Sequence, residues 1–137
     1  MTVIRRFAPD ALATLFAVSG VLHLVRPSLY EALIPPSVPA PGAIIAISGI
    51  VELVCAAGLV RRDRWAGPAS VALLVAVFPG NLWFALSTTA DQTATSGLVA
   101  GSWLRLPLQV PMIWMALQAR HGPLTERRRQ RQTPNDR

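Results

Sequence analysis

The sequence predicts an all-α fold: a polytopic membrane four-helix bundle with N- and C-termini cytoplasmic and a short interfacial helix in the first outer loop. Three observations carry that expectation. Of 137 residues, 52% are hydrophobic and only 15% are charged, where a soluble domain carries about 25% charged residues. Polar side chains are thus too few to cover a water-soluble core. Four stretches approach the ~20 apolar residues that a helix needs to cross ~30 Å of hydrocarbon. Eleven of the thirteen basic residues, all of them arginine, fall on one side of the alternation those stretches define.

The first span is expected at 7–25, with Asp10 near its start as its only charge. Arg5 and Arg6 before an apolar run resemble the start of a signal peptide. Arg26, Pro27 and bulky residues follow, with no small-x-small cleavage site, so the segment reads as a retained helix. The second span, 42–60, is interrupted only by Glu52, and the third, 65–86, has no charge. The fourth, 103–119, is the weakest, carrying Arg105, Pro107, Gln109 and Pro111. It becomes a plausible span when its polar face is buried against the other three. Residues 1–121 form one domain on this reading, and 122–137 a basic, disordered cytoplasmic tail.

Orientation follows from the arginines. With the N-terminus inside, Arg5, Arg6, Arg61, Arg62, Arg64, Arg120 and the tail lie on the inner side, leaving Arg26 and Arg105 at outer helix ends. The net charge of +6 is thereby assigned to topology and anionic lipid, and no nucleic acid is expected. Arg61 to Arg64 is too short a turn for anything but antiparallel neighbours. In the first outer loop, Ser28 and Glu31 have capping-box spacing. The short helix they open would lie on the membrane surface through Leu29, Tyr30, Leu33 and Ile34, and Pro35-Pro36 would end it. The second outer loop, 87–102, is rich in Ser, Thr, Ala and Gly and is expected to be mobile. Ala72, Ala76 and Gly80, with the shorter pairs Ala13–Ala17 and Gly42–Ala46, offer small-residue ladders for close packing or a homo-oligomer seam.

The polar residues inside the spans gather toward the outer side. At ~1.5 Å per residue, His23 lies ~3 Å from the outer boundary, Asn81 ~8 Å, Gln109 ~9 Å and Glu52 ~15 Å. Ser48, Glu52 and Cys55 share one stripe of the second helix, as Ser19, His23 and Arg26 do on the first. Arg105 and Gln109 lie one turn apart on the fourth. A Glu or Arg facing lipid costs several kcal/mol, so each is expected to turn inward. The candidate binding or proton site is therefore His23, Arg26, Ser48, Glu52, Asn81, Arg105 and Gln109, open to the outside with Glu52 at its floor. An Arg105–Glu52 charge pair is part of that expectation.

Each residue also has a structural reading. Glu52 could be a neutral carboxyl bonded to a neighbouring helix, and His23 a satisfied structural histidine. Cys55 could be core, Arg26 an interfacial anchor, and Asn81 a donor to carbonyls freed by Pro79. Trp65 and Trp103 fit the aromatic belts. Cys55 is the lone cysteine, which excludes an intrachain disulfide or Cys-x-x-Cys site. No catalytic residue and no metal site is assigned.

His23-Leu-Val-Arg26-Pro27, Ile34-Pro35-Pro36, Ser48-Gly49-Ile-Val-Glu52-Leu53, Phe78-Pro79-Gly80-Asn81 and Arg105-Leu-Pro107-Leu-Gln109 stand in an order that resembles the DoxX-like family of small bacterial four-helix membrane proteins. The likeness covers residues 7 to 119. It implies a protein of the cell (inner) membrane, linked to membrane oxidoreductase assemblies, oxidative-stress defence or maturation of periplasmic enzymes. The leading expectation is an accessory or assembly subunit of a membrane redox or envelope-stress system, with the bilayer and membrane or periplasmic oxidoreductases as partners. A second is a quinone-reactive oxidoreductase subunit, whose polar cleft would bind a quinone head group; the sequence itself makes no cofactor evident. A third is a small-solute carrier, less attractive because four helices show no obvious inverted repeat.

Overall fold

The structure, a computed structural model, describes residues 2–119. It is all-helical, with no strand among the described residues. The long helices are α1 (Thr2–Val25), α2 (Pro41–Val60), α3 (Ala66–Ala90) and α4 (Ser96–Gln118). Three stretches, Phe7–Val25, Pro41–Val60 and Ala66–Ala90, are long and apolar enough to cross a membrane. Their outer faces carry exposed Val18, Ile47, Ile50, Val54 and Val75, side chains suited to contact with lipid. The basic tail at 122–137 and Arg120 lie outside the described residues.

α1 packs most extensively on α2, and α3 on α4; α1–α4 and α2–α3 contacts join the two pairs. Lipid gives no hydrophobic drive between helices, so close fit must hold them. That fit is concentrated at the end where α2 turns into α3. Leu12, Ala13 and Phe16 of α1 meet Cys55, Ala56 and Leu59 of α2, Ala66 and Leu74 of α3, and Ala116 and Ala119 at the end of α4. Cys55 is thus a core residue. Ala13 and Ala17 serve this core as their spacing predicts, whereas Ala72 and Ala76 are exposed and Gly42 has no neighbour that a side chain would touch.

The turn after α2 is a Schellman motif: the Asp63 N–H donates to Gly58 O at 2.9 Å and the Arg62 N–H to Leu59 O at 3.2 Å. It requires a left-handed residue, and Arg62 adopts that conformation at φ 61°. Its guanidinium then reaches Asp10 Oδ2 at 2.7 Å and ties α1 to the turn. That contact accounts for the only charge in the first span.

The first connection differs from the expected capped helix. It forms two single 3-10 turns, Pro27–Leu29 and Glu31–Leu33, neither with a side-chain cap. Ser28 does not serve as a cap because backbone i→i+3 bonds such as Tyr30 N–H to Pro27 O close the turns instead. Only Leu29 of the four apolar residues points fully outward. Tyr30, Leu33 and Ile34 are half-buried, and the segment straps across α1, α2 and α3. Gly80 lets the strap sit close: a Cβ there would lie 3.0 Å from Leu33 O.

The expected mobile loop at 87–102 is mostly helix, and the connection is only 91–95. Thr88 and Thr89 bond back to Phe84 O and Ala85 O at 2.6 and 2.7 Å, so their hydroxyls are satisfied inside α3 rather than ending it. Thr95 then caps α4 through the Leu98 N–H. Trp103 Nε1 donates to Thr89 Oγ1 at 2.8 Å and joins α4 to α3. Between the helices, Thr93 donates to Asp91 Oδ1 through both N and Oγ1. Those bonds hold the Asp91 carboxyl below its usual range, so the turn keeps this support at neutral pH and loses it only on strong acidification.

Candidate functional site

Two halves of the molecule divide the labour. The half around the α2–α3 turn holds the buried apolar core. In the half under the strap the helices enclose a cavity of about 700 Å³, within the ~300–1,000 Å³ of small-molecule sites. All four helices and the strap contribute to its wall.

Of the residues expected from the sequence, His23, Ser48, Glu52, Asn81, Arg105 and Gln109 all line this one cavity. Helical arithmetic explains why. Ser19 and His23 on α1, and Ser48 and Glu52 on α2, are one turn apart, so each pair shares a face. The two faces meet because Gly20 and Gly49 let the backbones cross closely. A Cβ on Gly20 would sit 2.7 Å from Gly49 O, and one on Gly49 would sit 2.7 Å from His23 Cβ.

That crossing brings His23 Nδ1 to 3.4 Å from Glu52 Oε2. Nδ1 also lies 2.8 Å from Ser19 O, and only a ring N–H makes so short a contact with a carbonyl. The proton is therefore assigned to Nδ1, and Nε2 is left for another partner. Tyr30 of the strap stacks on the imidazole, ring centroids 3.5 Å apart and planes 24° from parallel. Glu52 is 8% exposed, yet its Oε2 receives no hydrogen bond from the described residues. A buried carboxyl oxygen without a donor is costly, and it marks a place where a ligand or water belongs.

Two expectations need correction. Arg105 does not pair with Glu52; its guanidinium lies over the Phe84 ring at 5.2 Å, while Glu52 faces His23. The ring satisfies the cation as its quadrupole permits. Arg26 does not line the cavity. It is exposed, and its carbonyl instead accepts from the Leu29 N–H to start the strap. The amide that reaches the α3 backbone is not that of Asn81 but that of Gln109, whose Nε2 donates to Leu74 O at 3.0 Å. Gln109 thus has a structural bond within the site.

The sequence reading missed Tyr30 and the paired glycines. Tyr30 carried a signal, as the only tyrosine in the chain, but its position on the strap could not be reached from helical periodicity. Gly20 and Gly49 each precede a site residue by three, His23 and Glu52, so their spacing held the clue.

The family model for a domain of unknown function (DUF8561) matches residues 12–120. No curated protein and no solved structure compared with the chain matches it.

Proposed function

The chain belongs to the family described as a domain of unknown function (DUF8561), and for this member we propose a multi-pass protein of the cell (inner) membrane that serves as an accessory or assembly subunit of a membrane redox or envelope-stress system. The proposal extends the DoxX-like resemblance to function. The molecule would cross the bilayer four times as a helix bundle, both termini cytoplasmic, with the cavity opening on the outer half. Supporting the fourth span, α4 buries Ser102, Gln109 and Ala116 against its neighbours and leaves Leu104, Leu108 and Val110 exposed. Supporting the orientation, Arg61, Arg62 and Arg64 share the end of the molecule opposite the strap.

One observation carries the functional reading: a histidine and a carboxyl in contact inside a largely apolar cavity, with Ser48, Asn81, Arg105 and Gln109 among its further polar lining. Such a site suits a ligand that is mostly hydrocarbon with one polar end. The same contact favours the quinone-reactive variant of the reading. A quinone head would meet His23 and Glu52 as proton-exchanging groups and Asn81 and Arg105 as donors to its carbonyl oxygens. Cys55 is alone and buried in the core, so electrons would come from the partner oxidoreductase. A small-solute carrier would use the same cavity, and the largely apolar lining favours an amphiphile over a hydrated solute.

Purification in mild detergent, followed by mass spectrometry of bound lipid, quinone and protein, tests this. A stoichiometric small molecule together with a co-purifying oxidoreductase is the expected result, with Glu52→Gln abolishing proton coupling while the protein stays folded in the membrane. Full rescue of every deletion phenotype by a folded Glu52→Gln/Arg105→Leu double variant would remove the site from the function.

A further inference from the structure

Resting on the binding-site reading above, we infer that the cavity is filled sideways from the bilayer, between α1 and α4, by a chain-bearing amphiphile whose head donates a hydrogen bond to Glu52. Packed side chains stand across the two ends of the cavity. Toward the α2–α3 turn lie Leu12, Phe16, Leu59 and Leu74, none more than 3% exposed. Toward the other end the strap stacks Tyr30 on His23 and sets Leu33 against Gly80.

The sides differ from each other. The second turn of the strap touches both α2 and α3 and so covers that seam, whereas the strap makes no contact with α4. On the uncovered α1–α4 side, Leu15 and Leu108 line the cavity and are each 48% exposed on the outer surface. Ile44 of α2 also lines the cavity and is 42% exposed, but the strap touches α2 and not α4, so the α1–α4 side is the one left as a gap in the wall. Met112 and Met115 line the same side, and their flexible thioethers adapt to a chain of varying shape.

Ligand chemistry follows from what the wall lacks. Glu52 Oε2 is buried without a donor, since His23 Nδ1–H, 3.4 Å away, is committed to Ser19 O. A hydroxyl on the ligand head fills that place, and the apolar walls take the first part of its chain. The rest of the chain leaves through the gap into the acyl region. Two membrane sources carry such a head: a hydroxyl-bearing glycerolipid and a reduced quinone.

The test uses the full chain in phosphatidylcholine nanodiscs with a hexadecanol bearing a mid-chain photoreactive diazirine. Crosslinks are expected on Leu15, Leu108, Met112 and Met115. Hexadecanol should displace the probe roughly tenfold better than hexadecyl methyl ether, which has no hydroxyl to donate. Butanol should not displace it, and Glu52→Leu should erase the alcohol–ether difference while crosslinks persist. Equal displacement by ether and alcohol, or labelling spread evenly over the lipid-facing helices, overturns the inference. Displacement by butanol as good as by hexadecanol overturns the bilayer route while leaving the binding site itself standing. If no probe labels the cavity and the Glu52→Gln/Arg105→Leu variant remains fully functional, the binding-site reading falls as well. Mass spectrometry of the extracted natural ligand separates the glycerolipid from the quinol.

Discussion

At Gly49 the backbones of α1 and α2 come within a methyl group of each other, and the site depends on that closeness. A Cβ there would lie 2.7 Å from His23 Cβ and 3.0 Å from Gly20 O, and neither a backbone oxygen nor a β-carbon can swing aside. Gly49→Ala is therefore expected to cost about 1–3 kcal/mol through overpacking, read as a lower midpoint of thermal unfolding in detergent. It should also part His23 from Glu52 and weaken ligand binding. His23→Phe makes a different kind of change. It keeps an aromatic ring for Tyr30 to stack on but removes the N–H that bonds Ser19 O. Wild-type-like unfolding with lost binding is the expected pair of results, and a large loss of stability would make His23 a structural residue only. At this scale the sequence was informative wherever side chains share a helix face, because that is simple periodicity. Glu52, Ser48 and His23 were found in this way. It was silent on which group faces which across helices: the Arg105–Glu52 pair looked natural from charge, yet Phe84 and His23 are the actual neighbours.

Elements end where local chemistry lets them, and the α2 terminus shows two effects in opposition. Arg62 holds a left-handed conformation that costs a non-glycine residue about 1 kcal/mol, while its guanidinium gains a half-exposed ion pair with Asp10, worth ~0.2–1 kcal/mol. Arg62→Gly loses the pair and relieves the backbone, so its stability should lie close to wild type. Arg62→Ala loses the pair and keeps the strain, and should unfold more easily than Arg62→Gly by about 1 kcal/mol. Equal stability of the two variants would contradict this account of the turn. The α3–α4 connection is a second case. Ser, Thr and Gly composition looked like a loop, but in a helix that lacks water threonine hydroxyls turn back to the carbonyls behind them, and composition then misleads. Trp103→Phe tests the bond across that connection, with an expected loss of about 0.5–1.5 kcal/mol. The three apolar helices, by contrast, were readable to within a few residues, since hydrocarbon thickness leaves little freedom in their length.

For the whole molecule the question is where α4 lies. It is long enough to cross the bilayer, but Arg105, Gln109, Pro107 and Pro111 leave it without the apolar run that marks the other three. Its polar atoms are answered within the fold instead: Gln109 bonds Leu74 O, Trp103 bonds Thr89, and Arg105 rests on Phe84. A helix so matched to its neighbours would meet lipid only with its remaining apolar face, and as a fourth span it would be undercounted by hydropathy alone. The alternative is an α4 that stays at the membrane surface, which would leave the cavity without one wall. The two arrangements place the end of α4 on opposite sides of the membrane. In a Cys55→Ser background, a cysteine at Ser37 in the strap connection should react with a membrane-impermeant maleimide in intact cells, and one at Arg64 should not. A cysteine at Gln118 decides the matter: protection until the cells are opened means that α4 crosses and closes the cavity. Labelling of Gln118→Cys from outside would leave three spans, and the α1–α4 gap would then have no second side.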